Sequence, residues 1–160
     1  NQASIVPGLA ATPGPVELVA ARPNPCANPT TPESVLSCLP RPTGAPRQLS
    51  GLFAANAYEQ TSLNFPVKAM PQPIVDFYRK ALTDKGYTER TDNTMIGDWG
   101  FNLVFNSPSG AGFTAKDPGK SVVLVIQGAM VAKDTLNLNL RFEELIAWVE
   151  RYPVSGQSNP

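Results

Sequence analysis

Acidic side chains are the main candidates for chemistry in this 160-residue chain, because it contains no histidine. Without an imidazole, Ser-His and Cys-His nucleophile pairs and histidine metal ligands are excluded. A hydrolase could still use two carboxylates, and the candidates are Asp92, Asp98, Glu143 and Glu144. The first two flank a predicted turn, and the last two are typical of a helix start. We therefore predict a protein that is not an enzyme and that has no catalytic residues, no cofactor and no metal ion.

Cys26 and Cys38 are the second group with chemistry of their own. With no histidine to help them, two cysteines cannot form a four-ligand zinc site. We predict a disulfide that closes a short loop, and two unrelated free thiols are the alternative. A disulfide indicates an oxidising compartment. The chain also begins at Asn1 without a basic and apolar leader, which indicates either a removed signal peptide or a cut chain. We expect a secreted protein of the periplasm, the thylakoid lumen or the cell surface.

The overall charge excludes two classes of partner. Thirteen Lys and Arg offset thirteen Asp and Glu, so the formal net charge is zero. A neutral chain lacks the basic surface that nucleic-acid binding requires. No uncharged run approaches the roughly 20 apolar residues that a membrane-spanning helix needs. We expect no nucleic-acid partner and no transmembrane segment, and a place on a membrane-associated assembly would be peripheral.

The first third of the chain has the composition of an extended arm. Ten prolines fall within residues 1–47, and no aromatic residue precedes Phe53. Such a segment cannot bury a core of its own, so it should be extended and irregular. Thr31, Pro32 and Glu33 are the exception, because they have the residue types of a helix start and predict one or two helical turns. The predicted parts are an arm with the Cys26–Cys38 loop at 1–52, a domain at 53–153 and a flexible tail at 154–160.

The domain alternates between strand and helix spacing. Apolar residues recur at helical spacing through 74–82, and Gly86 is placed to end that helix. Predicted strands cover 63–67, 87–90, 99–105, 122–126 and 136–142. A short C-terminal helix is predicted from Glu143 onward, with a continuing strand as the alternative. The predicted fold class is therefore α+β, with an antiparallel sheet of about five strands, one long helix and a short C-terminal helix, preceded by the Pro-rich arm.

Three residues carry further structural expectations. Pro66 has no N–H to donate, so its strand is predicted at a sheet edge. Trp99 and Trp148 are expected to pack in the core, and the alternative for each is an exposed anchor.

The polar positions of the strands carry amides and hydroxyls instead of charges. The ordinary interpretation is a solvated sheet face. The alternative is a face covered by the arm, by a partner or by a sugar, since amides tolerate burial when they are hydrogen-bonded. The candidate partner or ligand face consists of Asn64, Asn102, Asn137, Asn139 and Arg141.

The stretch 71–87, PQPIVDFYRKALTDKGY, contains a Phe-Tyr helix that ends at Gly and an aromatic residue. It resembles a pattern in uncharacterised secreted α+β envelope domains of cyanobacteria and other envelope-rich bacteria. The resemblance covers roughly residues 58–142, implies an extracytoplasmic location and brings no catalytic residues.

Two functions are compatible with these features. The first is a non-enzymatic secreted accessory or structural subunit that docks on a larger protein assembly through its Pro-rich arm, because polyproline segments lose little entropy on binding. The alternative is a free-standing module that binds a small molecule or glycan on the amide-rich face.

Overall fold

The computed structural model describes residues 24–47, 49 and 51–147. The chain divides into two compact units, residues 1–30 and 31–160. In the described part of the first unit, the Cys26 amide donates a hydrogen bond to Asn24 Oδ1 at 2.9 Å within a turn. Cys26 and Cys38 form a disulfide, as predicted from their spacing.

Seven strands and two α-helices make up the described part of the second unit. The helices are α1 (Pro32–Ser37) and α2 (Pro71–Asp84). The strands are β1 (Gly51–Phe53), β2 (Thr61–Lys68), β3 (Thr88–Glu89), β4 (Met95–Gly97), β5 (Gly100–Asn106), β6 (Lys120–Ala132) and β7 (Thr135–Ile146). They form one antiparallel sheet in the order β1-β2-β7-β6-β5-β3, and β4 also pairs with β5. The α+β class is confirmed, with short strands β1 and β4 beyond the predicted five.

Helix α1 begins where the sequence predicts. The Ser34 amide donates to Thr31 Oγ1 at 3.2 Å, and the Thr31 amide donates to Ser34 Oγ at 3.0 Å, so both ends of a capping box are present. Leu36 and Leu39 are buried in the core under the sheet. Helix α1, which the sequence assigned to the arm, is therefore part of the domain, and the compact unit begins at Thr31.

Helix α2 covers the other half of the same sheet face. Its buried side recurs at helical spacing through Ile74, Tyr78 and Leu82. The helix stops at Gly86, whose φ of 91° suits glycine, and the Tyr87 amide donates back to the Leu82 carbonyl at 2.9 Å. Both described helices lie on the same face of the sheet, over the main core cluster. No helix among the described residues is long and apolar enough to cross a membrane.

The centre of the sheet follows the predicted pattern, but β2 is not the edge strand that Pro66 predicted, because it lies between β1 and β7. Residues 122–126 of β6 are buried on both faces. Only Thr61–Leu63 of β2 pair with β1, so the outer side of β2 has no strand partner at Pro66 among the described residues. This position accommodates a residue without an N–H.

The predicted C-terminal helix start is wrong, because β7 continues to Ile146. Glu143 and Glu144 pair with Val123 and Val122 of β6. Since β6 begins at Lys120, it offers backbone partners along this whole stretch, and the ladder overrides the local charge pattern. The predicted helix positions from Trp148 onward and the tail at 154–160 lie outside the described residues.

Candidate functional site

The predicted amide face lies on the side of the sheet away from the helices. Four amide residues, one on each of four adjacent strands, are direct cross-strand partners: Asn102 faces Gln127, Gln127 faces Asn139, and Asn139 faces Asn64. Because side chains alternate along a strand, residues in register point to the same face. We call this set the amide row.

Most amides of β2 and β7 satisfy one another. Asn64 and Asn137 exchange hydrogen bonds at 3.1 and 3.2 Å. Asn139 Nδ2 donates to Asn64 Oδ1 at 3.1 Å and to the buried Ser62 Oγ at 3.3 Å. These bonds hold β2 and β7 in register, so the ordinary structural role is supported for this half of the face.

Arg141 connects Gln127 of β6 with Asn139 of β7. Its Nη1 donates to Gln127 Oε1 at 3.0 Å and to Asn139 Oδ1 at 2.8 Å, and its Nε forms an ion pair with Glu143. Asn56 Nδ2 donates to the same Glu143 carboxylate at 3.3 Å. Gln127 Nε2 and Arg141 Nη2 have no hydrogen-bond partner within the described part of the chain. The network therefore leaves donors available for an acceptor-bearing molecule.

The structure brings together four of the five predicted face residues: Asn64, Asn137, Asn139 and Arg141. Asn102 shares their face, but its amide donates to the Asn93 carbonyl at 3.2 Å, away from the network. Sequence reasoning missed Gln127, because β6 was interpreted as apolar on both sides. The alternation of Val123, Val125 and Gln127 would have assigned it to this face.

The other half of this face is apolar. Val104, Val123 and Val125 form a small buried cluster with Leu145 packed against it. Arg90 is 4% exposed at this half of the sheet. Its Nε donates to Asn106 Oδ1 at 2.9 Å and its Nη1 to the Ile146 carbonyl at 2.8 Å, whereas its Nη2 is buried without a partner. Burial lowers the pKa of the Arg90 guanidinium.

The candidate catalytic carboxylates do not converge. Asp92 is exposed in the short 3-10 helix Thr91–Asn93, and Asp98 is exposed in the turn between β4 and β5. Glu143 and Glu144 are consecutive in β7 and therefore point to opposite faces of the sheet. Their partners differ accordingly, since Glu143 pairs with Arg141 whereas Glu144 accepts the Lys116 amide at 2.9 Å. Among the described residues, no group of three possible metal-ligating side chains comes together.

Glu89 is the carboxylate with the clearest electrostatic perturbation. Arg79 forms a two-pronged pair with it at 2.9 and 3.0 Å, and Thr94 also donates to it. Burial by itself would raise the pKa of Glu89, but the hydrogen bonds from Arg79 and Thr94 outweigh burial and lower it. A group held ionised in this way ties α2 to the edge of the sheet and is poorly suited to be a general acid.

Trp99 is not in the core, as the sequence had suggested, but is 49% exposed. It belongs to the two-residue turn between Gly97 and Gly100, which pair with each other across the hairpin. Gly100 has φ 142° and lies against the Gly128 carbonyl, where a side chain would clash. This tight turn keeps Trp99 outside β5, and its indole lies beside Gly97.

Further exposed apolar side chains lie near Trp99. Met95 and Ile96 are on the same hairpin, and the Met130 amide donates to the Trp99 carbonyl at 2.8 Å, which brings Val131 to this end of the sheet. We define the Trp99 patch as Met95, Ile96, Trp99 and Val131, which are 61, 40, 49 and 64% exposed. Met95 and Ile96 are consecutive in β4 and point to opposite faces of the sheet, so the patch wraps around this end of the sheet.

Comparison with protein-family models, curated proteins and solved structures finds no match for this chain.

Proposed function

We propose that this chain is a non-catalytic subunit that binds a partner protein through the Trp99 patch. The observation that carries the proposal is a half-exposed tryptophan among three exposed aliphatic or thioether side chains at a hairpin end. Exposed apolar side chains at one end of a sheet are typical of interaction sites, and tryptophan is enriched at the energetic centres of such sites. Strand β4 is also an edge, so its backbone can pair with another chain.

The charges around the patch favour a protein over a lipid surface. Asp98 adjoins Trp99, and Lys133 and Asp134 occupy the turn between β6 and β7. Lys68 and Asp134 form an exposed pair at 3.9 Å. An anionic membrane attracts clusters of Lys and Arg, and this end of the sheet carries both signs in balance.

The Pro-rich arm has a more limited part in this proposal than the sequence indicated. Residues from Thr31 to Leu39 contribute to the domain's own core through α1. The part that remains available as a second contact is the segment before Asn24. Deleting residues 1–23 keeps both cysteines and should weaken association while leaving the domain folded. Unchanged association would assign all of the binding to the domain.

An extracytoplasmic location is also part of the proposal, and the disulfide supports it. Alkylating free thiols during cell lysis measures the redox state directly. We expect Cys26 and Cys38 to be protected until a reductant is added. Free thiols in freshly lysed cells would contradict this location.

The decisive experiment uses a photo-crosslinking amino acid at position 99 and, as a matched control, at position 53. Phe53 is 70% exposed on β1, at the opposite side of the sheet. Crosslinked partners are identified by mass spectrometry, and the purified partner is then titrated against the Trp99→Ser and Phe53→Ser variants. We expect at least a tenfold weaker Kd for Trp99→Ser only, which corresponds to about 1.4 kcal/mol. Equal losses, no loss, or self-association of this chain through the patch would each overturn the proposal.

A second candidate function is the binding of a sugar or another small neutral molecule on the amide row. The observation that favours it is the pair of unpartnered donors on Gln127 and Arg141 beside half-buried amides. Replacing Gln127 by Met removes a donor without opening the Asn64–Asn137 contact. Binding of a glycan array by the native chain and its loss in this variant would support the candidate. An array without binding would contradict it.

A further inference from the structure

A polar cleft lies at the end of the sheet opposite the Trp99 patch. Its volume is about 580 Å³, within the range of about 300–1,000 Å³ that is usual for small-molecule sites. The lining residues are Ala55, Asn56, Ala57, Tyr58, Glu59, Gln60, Lys116, Lys120 and Glu144. Of these residues, the sequence singled out Glu144, as a candidate catalytic carboxylate and not as part of a ligand site.

One wall of the cleft is a closed loop with unusual backbone geometry. Glu59 and Gln60 have φ values of 53° and 60°, so two successive residues with side chains occupy the left-handed region. The loop is closed by hydrogen bonds from the Gln60 amide to the Ala57 carbonyl at 2.7 Å and from the Ala54 amide to the Gln60 carbonyl at 3.1 Å. Each left-handed residue costs free energy, and such costs are concentrated at functional sites.

Tyr58 belongs to this loop and ties it to residues 113–116 on the other side of the cleft. Tyr58 donates to the Thr114 carbonyl at 2.9 Å and stacks on Phe113, with ring centroids 5.6 Å apart. Phe113 in turn makes an edge-on contact with the buried Phe142. Lys116 Nζ lies 5.6 Å from the centre of the Tyr58 ring. These contacts hold Tyr58 and Lys116 in place without any bound molecule, as a preorganised site requires.

Opposite charges line this cleft without neutralising each other. Lys116 and Lys120 are positive, and Glu59 and Glu144 are negative. Within the described residues, none of these four side chains forms an ion pair. Glu144 instead accepts the Lys116 backbone amide at 2.9 Å, and the Lys116 ammonium is placed over the Tyr58 ring. These two contacts leave the Lys116 ammonium and the Glu144 carboxylate without an ion pair between them.

We propose that this cleft binds a small dipolar molecule that carries both an ammonium and a carboxylate, namely a free amino acid or a short peptide. The carboxylate is recognised by Lys116 and Lys120, and the ammonium by Glu144 and Glu59. A molecule with both charges compensates all four side chains, whereas a simple anion or cation would leave two like charges facing it. The amides of Asn56 and Gln60 add hydrogen-bonding capacity for the remaining polar atoms. This site is independent of the Trp99 patch.

The test is an amide-resolved NMR titration of the full chain. The probes are the twenty L-amino acids and L-alanyl-L-alanine, up to about 10 mM, which detects a Kd of millimolar order. Any probe that binds is compared with its N-acetylated form and with its methyl ester, each of which lacks one charge. We expect shifts at residues 54–60, 116 and 120 for the dipolar probe, and at least tenfold weaker binding of both blocked forms. No shift with any probe, or equal binding of a blocked form, would overturn the proposal.

Variants separate binding from folding. Lys116→Met and Glu144→Gln should each weaken binding at least tenfold, and the matched control Lys133→Met, at the other end of the sheet, should not. Because the Glu144 change also affects a hydrogen bond from the backbone, the unfolding midpoint of each variant is measured beside the titration. If Lys120→Met, which removes only an exposed ammonium, binds the probe as well as the native chain, the assignment of the carboxylate site is wrong.

Discussion

The burial of α1 can be tested by truncating Leu36, which is 1% exposed. Leu36→Ala removes three carbon atoms, and their transfer out of the core costs about 2 kcal/mol. The helix and the sheet cannot close completely around the space that is left, so the total loss should be about 3 kcal/mol. For a domain of this size, that loss lowers Tm by about 10 °C. A free arm would show no such effect, because its leucine would already be in water.

The assay is urea unfolding followed by tryptophan fluorescence and by circular dichroism, with the disulfide intact. The control is Leu52→Ala on β1, where the native side chain is 52% exposed, and we expect a loss below about 1 kcal/mol there. A loss below about 1 kcal/mol for Leu36→Ala would refute the conclusion that α1 belongs to the domain. It would also restore residues 31–39 as a segment available for docking.

Three further predictions concern single side chains. Tyr78 has a buried hydroxyl without a partner, and burial raises the pKa of this hydroxyl. Tyr78→Phe should therefore raise the free energy of unfolding by about 1 kcal/mol in the same urea experiment. Tyr58→Phe loses the hydrogen bond to the Thr114 carbonyl and should lower the free energy of unfolding by a similar amount. Glu59→Gly relieves a left-handed residue and should stabilise the domain by about 1 kcal/mol in thermal unfolding; a destabilised variant would show that this backbone is not strained. Because the pKa of Glu89 is lowered in the folded state, its contribution to stability is complete above the unfolded-state pKa of about 4.3 and is lost as pH falls through the folded-state pKa. The stability of the native chain should therefore decline more steeply with acid than that of Arg79→Met. Parallel profiles of stability against pH would contradict this role.

Local sequence determined the elements whose signals are short in range. Thr31 and Pro32 define the start of α1, and Gly86 ends α2, because capping and left-handed geometry depend on residues within one turn. The continuous apolar run in β6 indicated a strand covered on both sides. The pairing of Cys26 with Cys38 followed from composition, since the chain offers no other cysteine and no histidine.

The alternation of side chains along each strand predicted most of the amide-rich face. Asn64, Asn137 and Asn139 were selected because they alternate with core residues, and this was enough to place them on one face. Their hydrogen bonds to one another, and the inclusion of Gln127, depend on which strands are neighbours. A sequence gives the face of each residue through its period of two, but it does not give the partner strand, because pairing is set by contacts between residues far apart in the chain.

Tertiary structure alone decided the remaining features. Glu143 and Glu144 have the local pattern of a helix start, yet the long β6 strand draws them into a ladder. Trp99 alternates with Phe101 and Leu103, yet a two-residue turn leaves it exposed. The polar cleft combines loops from residues 55–60 and 116–120 with the end of β7, and no local pattern records that meeting. Sequence determined the elements and their inward faces through local sterics and periodicity, whereas exposure, partners and clefts were decided by long-range packing.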